Sequence, residues 1–199
     1  MAGLPAQVSP ASNSGTVTIF GTDVTRLPPY RRAHLGLSRT YQVITLFAGD
    51  TLEHNVALGL LGLRPARWQM WRTLASYDRI SAEARRILDA VGLLDLASRP
   101  VSEIAYGERR RVELAMALAQ RPRILLLDEP FAGLSDAERA TVKSSIPRGT
   151  TVMMIEHDMD TALDLADTVT LLNSGRVIVD GPRDAVIADE RTREVYLGA

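Results

Sequence analysis

The sequence predicts an α/β fold built on a mostly parallel sheet, with an all-helical stretch set into it. Three observations carry that prediction. Ile124–Leu127 is an unbroken aliphatic run, the pattern of a strand buried on both faces of a parallel sheet. Thr150–Ile155 is a second apolar run, and helical patterns precede, separate and follow the two. Between Thr51 and Val91 the apolar residues recur only at helical spacing, so this stretch reads as a helical insert between strand-bearing regions.

The elements follow in order. Residues 1–14 are rich in Pro, Ser, Ala and Gly and have neither the basic start nor the apolar centre of a secretory signal, so they read as a disordered lead-in. Thr16–Phe20 alternates β-formers, and Gly21-Thr22-Asp23 reads as a turn before Val24-Thr25. Pro28-Pro29 opens a short helix through His34 that Gly36 ends, and Leu37–Gln42 is a strand. Leu52, Val56, Leu60 and Leu63 make one helical stripe, which Arg64-Pro65 breaks. Trp68–Ala75 and Ser81–Val91 are two further helices, with Trp68 and Trp71 on one face, either packed inside the insert or forming a partner-facing patch.

Arg109–Gln120 is a helix with Val112, Ala115, Met116 and Ala119 along one face. Ser135 caps a helix with Glu138 as its capping-box partner, and Pro147 closes it. Asp158–Ala166 is helical, Thr168–Leu172 and Arg176–Val179 are strands around Asn173-Ser174-Gly175, and Pro182–Ala199 is amphipathic helix and tail.

Composition narrows the function. The 199 residues are 46% hydrophobic, enough for one sizeable core, and the net charge of −1 gives no basic field, so nucleic acid is not an expected partner. There is no cysteine, which excludes disulfides and thiolate metal sites. The longest apolar run, Val56–Leu63, is too short to span a bilayer, so membrane association would pass through a partner.

The chemistry gathers at the end of the first buried strand. Asp128 and Glu129 stand at its C-terminal end, where open α/β sheets place their ligands, and Pro130 ends the ladder there. Asp128 suits a magnesium ion, and Glu129 suits polarisation of an attacking water. Gly107 lies near a helix N-terminus, whose free N–H groups favour an anion. His157 follows the second apolar strand at the same end of the sheet.

Gln42 at a strand end, Ala105-Tyr106-Gly107-Glu108, Leu125-Leu126-Leu127-Asp128-Glu129-Pro130, Gly133-Leu134-Ser135 and Ile155-Glu156-His157-Asp158 occur in that order. From about residue 15 to its end the chain resembles the nucleotide-binding subunits of ATP-binding-cassette transporters. Leu27-Pro28-Pro29-Tyr30-Arg31-Arg32, Arg39-Thr40-Tyr41-Gln42 and Val195-Tyr196-Leu197-Gly198 look most like the branched-chain amino-acid uptake type. The resemblance implies a P-loop NTPase-like cassette, with residues 15–42 and 103–199 as its ATPase core, 43–102 as a helical subdomain and the signature motif at 104–108. It implies ATP and Mg2+ as bound groups and hydrolysis of ATP coupled to solute import. It also implies membrane-spanning permease subunits and a second ATP-binding subunit as partners, and a cytoplasmic place on the inner face of the plasma membrane.

By the same resemblance, Gln42 is the Q-loop glutamine that contacts magnesium and the attacking water. Ala105, Tyr106, Gly107 and Glu108 belong to the signature motif that faces the γ-phosphate held by the opposite subunit. Asp128 anchors magnesium, Glu129 is the catalytic base, Ser135 lies in the D-loop, and His157 is the switch histidine. Two departures stand out. Ala105 occupies the place of the family's signature serine, and no G-x-x-x-x-G-K-[ST] motif occurs, the one lysine being Lys143. The chain is therefore expected to lack the N-terminal P-loop strand and helix and to bind ATP weakly or not at all alone. The alternatives are a catalytically silent cassette that completes a partner's ATP site or serves as a dimerisation subunit, and a cassette ATPase outside transport.

Overall fold

The computed structural model describes residues 15–40, 46–63 and 78–197. The expected helix at Trp68–Ala75 and Gln42 lie outside the described residues. Strands β1 (Thr18–Ile19) and β2 (Thr22–Asp23) form a tight antiparallel hairpin. Its turn is at Phe20-Gly21, starting one residue earlier than the sequence suggested, because Gly21 takes the positive φ of 78° and Phe20 accepts one of 49°. Helix α1 (Pro29–His34) follows, with Pro at its first position, and Gly36 turns the chain at φ 93° into β3 (Leu37–Arg39).

The functional end of the molecule rests on one three-stranded parallel sheet of order β3-β4-β5, with β4 at Ile124–Asp128 and β5 at Thr151–Ile155. Leu125 pairs with Ser38 on one side and Val152 on the other, so β4 is central. Leu125 and Leu127 are fully or nearly fully buried, as the aliphatic run requires. Strand β5 departs from the sequence reading: Val152, Met153 and Ile155 are exposed, because among the described residues β5 pairs with β4 alone and its outer edge and one face are uncovered.

Above the sheet, α2 (Leu52–Gly62), α3 (Asp78–Ala90) and α4 (Tyr106–Ala119) pack together, and their buried side chains form one continuous cluster with Leu125, Leu127, Phe131 and Leu134. Thr51 caps α2 by accepting from the His54 N–H. Gly59 lets α2 approach α4, since a Cβ there would meet the Met116 carbonyl at 2.9 Å. Two short 3-10 turns, Leu94–Leu96 and Val101–Glu103, join α3 to α4.

Helix α4 is not the one-faced amphipath its spacing suggested. It is the central helix, buried over most of its circumference, and Met116 is less buried than Leu114 and Ala117. It also begins three residues earlier than expected, at Tyr106, which places the whole signature stretch at its N-terminus. Helix α5 (Asp136–Ser145) leads to β5, and α6 (Met159–Leu165) follows it. Strands β6 (Thr168–Asn173) and β7 (Arg176–Pro182) form a separate antiparallel hairpin, and helices α7 (Arg183–Ala188) and α8 (Glu190–Leu197) replace the single terminal helix, broken at the extended Asp189. No described helix is long and apolar enough to cross a membrane.

Candidate functional site

The parallel register dictates the site. β4 and β5 run side by side to Asp128 and Ile155, so the residues just beyond them leave the sheet together. The ladder continues one step further, with the Glu129 N–H donating to the Ile155 carbonyl at 3.0 Å. Pro130 then ends it, and residues 129–132 form a turn in which the Ala132 N–H donates to the Glu129 carbonyl at 3.3 Å. Glu129 takes a φ of 46°, in the left-handed region that few non-glycine residues occupy. Its carboxylate lies 3.6 Å from His157 Nδ1, so the two residues expected to act on water and phosphate do meet.

Asp128 is half-buried, and its carboxylate makes no hydrogen bond or ion pair among the described residues. Its backbone alone is committed: the N–H donates to Thr40 Oγ1 at 3.3 Å, and the carbonyl accepts from Arg110 at 2.9 Å. A hard, unengaged carboxylate oxygen at this place fits a magnesium ion, which takes one or two carboxylates and completes its shell with water and phosphate oxygens. Gln42, the other expected ligand, lies outside the described residues. Among the described residues no three His, Cys, Asp or Glu side chains gather as a metal cluster.

The signature stretch comes to the same region by way of α4. Ala105 is the N-cap residue; its N–H donates to the Glu108 carboxylate at 2.7 Å, half of a capping box. Its methyl group cannot accept in return, so no side chain of the cap satisfies the first-turn N–H groups, which point outward with the helix's partial positive charge. Tyr106 is exposed. Gly107 packs under the loop after β4, where a Cβ would meet Leu134 Cδ2 at 3.1 Å and the Gly133 carbonyl at 3.3 Å. Gly133 itself needs its φ of 75° for that loop to fold back.

Ser135 is exposed at the start of α5; its N–H and hydroxyl both donate to Glu138 Oε2, at 2.9 and 2.7 Å, and these bonds hold the Glu138 carboxyl below its usual value. Arg139 in the same helix donates to Thr161 Oγ1, which in turn donates to Asp158, the N-cap of α6. The loop carrying Ser135 and the helix after His157 are thereby tied together.

Sequence reasoning missed three residues beside this site, two of which brace it. Thr40 receives the Asp128 N–H. Arg110 is buried, pairs with Glu113 at 2.9 Å, and donates to the turn's carbonyls. Glu156 is half-buried beside Phe131, its Oε1 has no hydrogen-bond partner among the described residues, and its burial pushes its carboxyl up. The signal available for the pair was two opposite charges at i, i+3 within an otherwise apolar helix.

Residues 4–132 match the sequence profile of the family described as ABC transporter. The chain belongs to that family. A probable ABC transporter ATP-binding protein of Azorhizobium caulinodans is 33% identical over 191 residues, covering 94% of this chain and 64% of that protein. The sulfate/thiosulfate import ATP-binding protein CysA of Mycolicibacterium paratuberculosis is 35% identical, covering 88% of this chain and 48% of that protein. The high-affinity branched-chain amino acid transport ATP-binding protein BraF of Pseudomonas aeruginosa is 32% identical, covering 92% and 76%.

The chain thus spans about half to two thirds of the first two relatives' length. Among solved structures, a nucleotide-free ATP-binding cassette from an ABC transporter superposes with a TM-score of 0.77 at 24% identity, over 94% of this chain and 78% of that one. A dimeric cassette bound to ADP and Pi gives 0.72 at 22% identity, over 85% and 74%. The cassette fold, a P-loop NTPase fold with a parallel sheet, is therefore the fold of this ABC chain.

Proposed function

We propose that this chain supplies the water-activating half of an ATP-hydrolysing site in an ABC importer. The observation that carries the reading is the meeting of Glu129 and His157, 3.6 Å apart at the C-terminal ends of neighbouring parallel strands, beside the unengaged Asp128 carboxylate. In this reading Glu129 accepts the proton of the attacking water, and His157 donates toward the terminal phosphate. Asp128 and Gln42 would hold a magnesium ion, which would supply positive charge to neutralise the phosphate oxygens. Gly107 and its neighbours Ala105, Tyr106 and Glu108 present a helix N-terminus to nucleotide carried by a second ATP-binding subunit, and Ser135 lies in the loop packed on it. Permease subunits of the membrane are the other partner, which places the chain on the inner face of the plasma membrane.

Branched-chain amino acids or a related solute are the proposed cargo, on the likeness to BraF and the quoted motifs; the likeness to CysA keeps the solute class wider. Residues 43–102 form the helical subdomain of this reading, and residues 15–42 and 103–199 its ATPase core. The P-loop that would cradle the phosphates is not among the 199 residues. Charged hydrogen bonds contribute about 1.5–3 kcal/mol each, so three of them change affinity by a factor of thousands or more. The exposed outer edge and face of β5 offer a seat for a P-loop strand.

The test is a titration with a fluorescent ATP analogue and magnesium. The 199-residue chain alone is expected to show no micromolar binding, and the same chain joined to a cassette P-loop segment is expected to gain it. Micromolar, magnesium-dependent binding by the chain alone would contradict the reading, as would no gain on joining.

A further inference from the structure

Glu129 is held in a backbone conformation that a glutamate does not choose. A φ of 46° in a non-glycine residue persists only where its surroundings over-determine it. The surroundings here are specific. The Asp128 N–H goes to Thr40 Oγ1, and the Glu129 N–H goes to the Ile155 carbonyl. The carbonyls face one group from a different part of the chain: Arg110 Nη2, 2.9 Å from the Asp128 oxygen and 3.5 Å from that of Glu129.

Arg110 is itself fixed. Its other terminal nitrogen, Nη1, donates to Glu113 Oε2 at 2.9 Å, and the two side chains are only 5% and 9% exposed. A buried ion pair in a helix seldom adds net stability over an apolar pair of the same size. Its retention in the most buried helix of the molecule therefore asks for another reason, and the geometry supplies one. The guanidinium is a rigid fork, so a partner that holds one prong aims the other. Glu113 holds Nη1, and Nη2 is aimed at the turn.

Arg110 also sits three residues after Gly107, on the same face of α4. That face touches both ends of one loop: Arg110 at Asp128 and Glu129, and Gly107 under Gly133 and Leu134.

We propose that Arg110, aimed by Glu113, is the positioning residue that sets Glu129, and that it ties the placement of the Glu129 carboxylate to the position of the signature helix. The proposal rests on the functional reading for its significance, since Glu129 is the base only under that reading. Its geometry stands without it. Arg110 touches no reacting atom; it acts through the turn.

The test is amide hydrogen–deuterium exchange of the full 199-residue chain, without nucleotide, comparing wild type with two variants. Arg110→Lys keeps the charge beside Glu113 but replaces two aimed nitrogens by one on a shorter stem. The double variant Arg110→Met, Glu113→Met removes both charges together, so neither is left buried without its partner and the fold survives. Losing a charged hydrogen bond corresponds to about tenfold in a local opening equilibrium. Both variants are therefore expected to speed exchange in the segment 128–134 by about tenfold, with α2 and α3 changed by less than about twofold.

Unchanged exchange in 128–134 would overturn the proposal. So would a uniform rise across α2, α3 and α4, which would make Arg110 an ordinary packing residue. Because exchange is read without ATP, this outcome is independent of whether Glu129 proves to be the base.

Discussion

Glu156 shows how a single non-reacting residue constrains the site. It precedes His157 and is partly desolvated beside Phe131, Glu129 and Asp158. Burial is the largest influence and raises its pKa above the usual glutamate value; the Phe131 N–H and His157 oppose that rise. The sign follows from linkage. With the folded pKa raised, the charged form is penalised in the native state. That penalty is absent below the unfolded pKa and complete once pH has passed the folded one.

Glu156→Gln keeps the side chain's size and removes the titration. The difference in Tm between Glu156→Gln and wild type is therefore expected to become more positive from about pH 4 to about pH 7. Thermal melts at the two values check this; a difference that is flat, or that falls with pH, would contradict it. None of this was legible beforehand, because a glutamate beside a histidine reads the same whether exposed or half-buried. Asp128, Glu129 and His157 were legible, since a carboxylate at the end of an aliphatic run is placed by the strand itself.

At the scale of elements, β4 and β5 make the instructive contrast. Both read as buried apolar strands. Leu125 and Leu127 are buried, whereas Met153 and Ile155 remain 66% and 62% exposed. Periodicity reports what a strand is suited to cover, and only tertiary pairing says whether a neighbour covers it. An uncovered apolar edge strand is an aggregation site. Met153→Thr with Ile155→Thr is expected to raise the onset temperature of light scattering while moving Tm by no more than about 2 °C, because these side chains have little packing to lose. A large fall in Tm would show that this face is covered in solution. Helix α4 failed as a one-faced amphipath for the converse reason: helices and sheet both pack on it, and its charges are buried by pairing rather than turned outward.

For the whole molecule, the site is a consequence of topology. Parallel strands bring residues 128–129 and 157 to one end of the sheet, and the central helix α4 sets Gly107 under the loop that follows Glu129. The order of the motifs made that assembly legible, because each motif lay beside an element whose direction a parallel sheet fixes. What was not legible was the bracing of the turn at Glu129 by Thr40 and Arg110, which are 89 and 19 residues away in sequence and meet only through the fold.

The central claim is that Glu129 activates water. The direct measurement is single-turnover ATP hydrolysis by the chain joined to a cassette P-loop segment, wild type against Glu129→Gln, with nucleotide binding measured on the same samples. The amide keeps the side chain's size and loses its basicity, so hydrolysis is expected to fall by about a hundredfold or more with nucleotide affinity unchanged. Hydrolysis by Glu129→Gln within about threefold of wild type would contradict the claim, since a positioned general base contributes about a hundredfold or more.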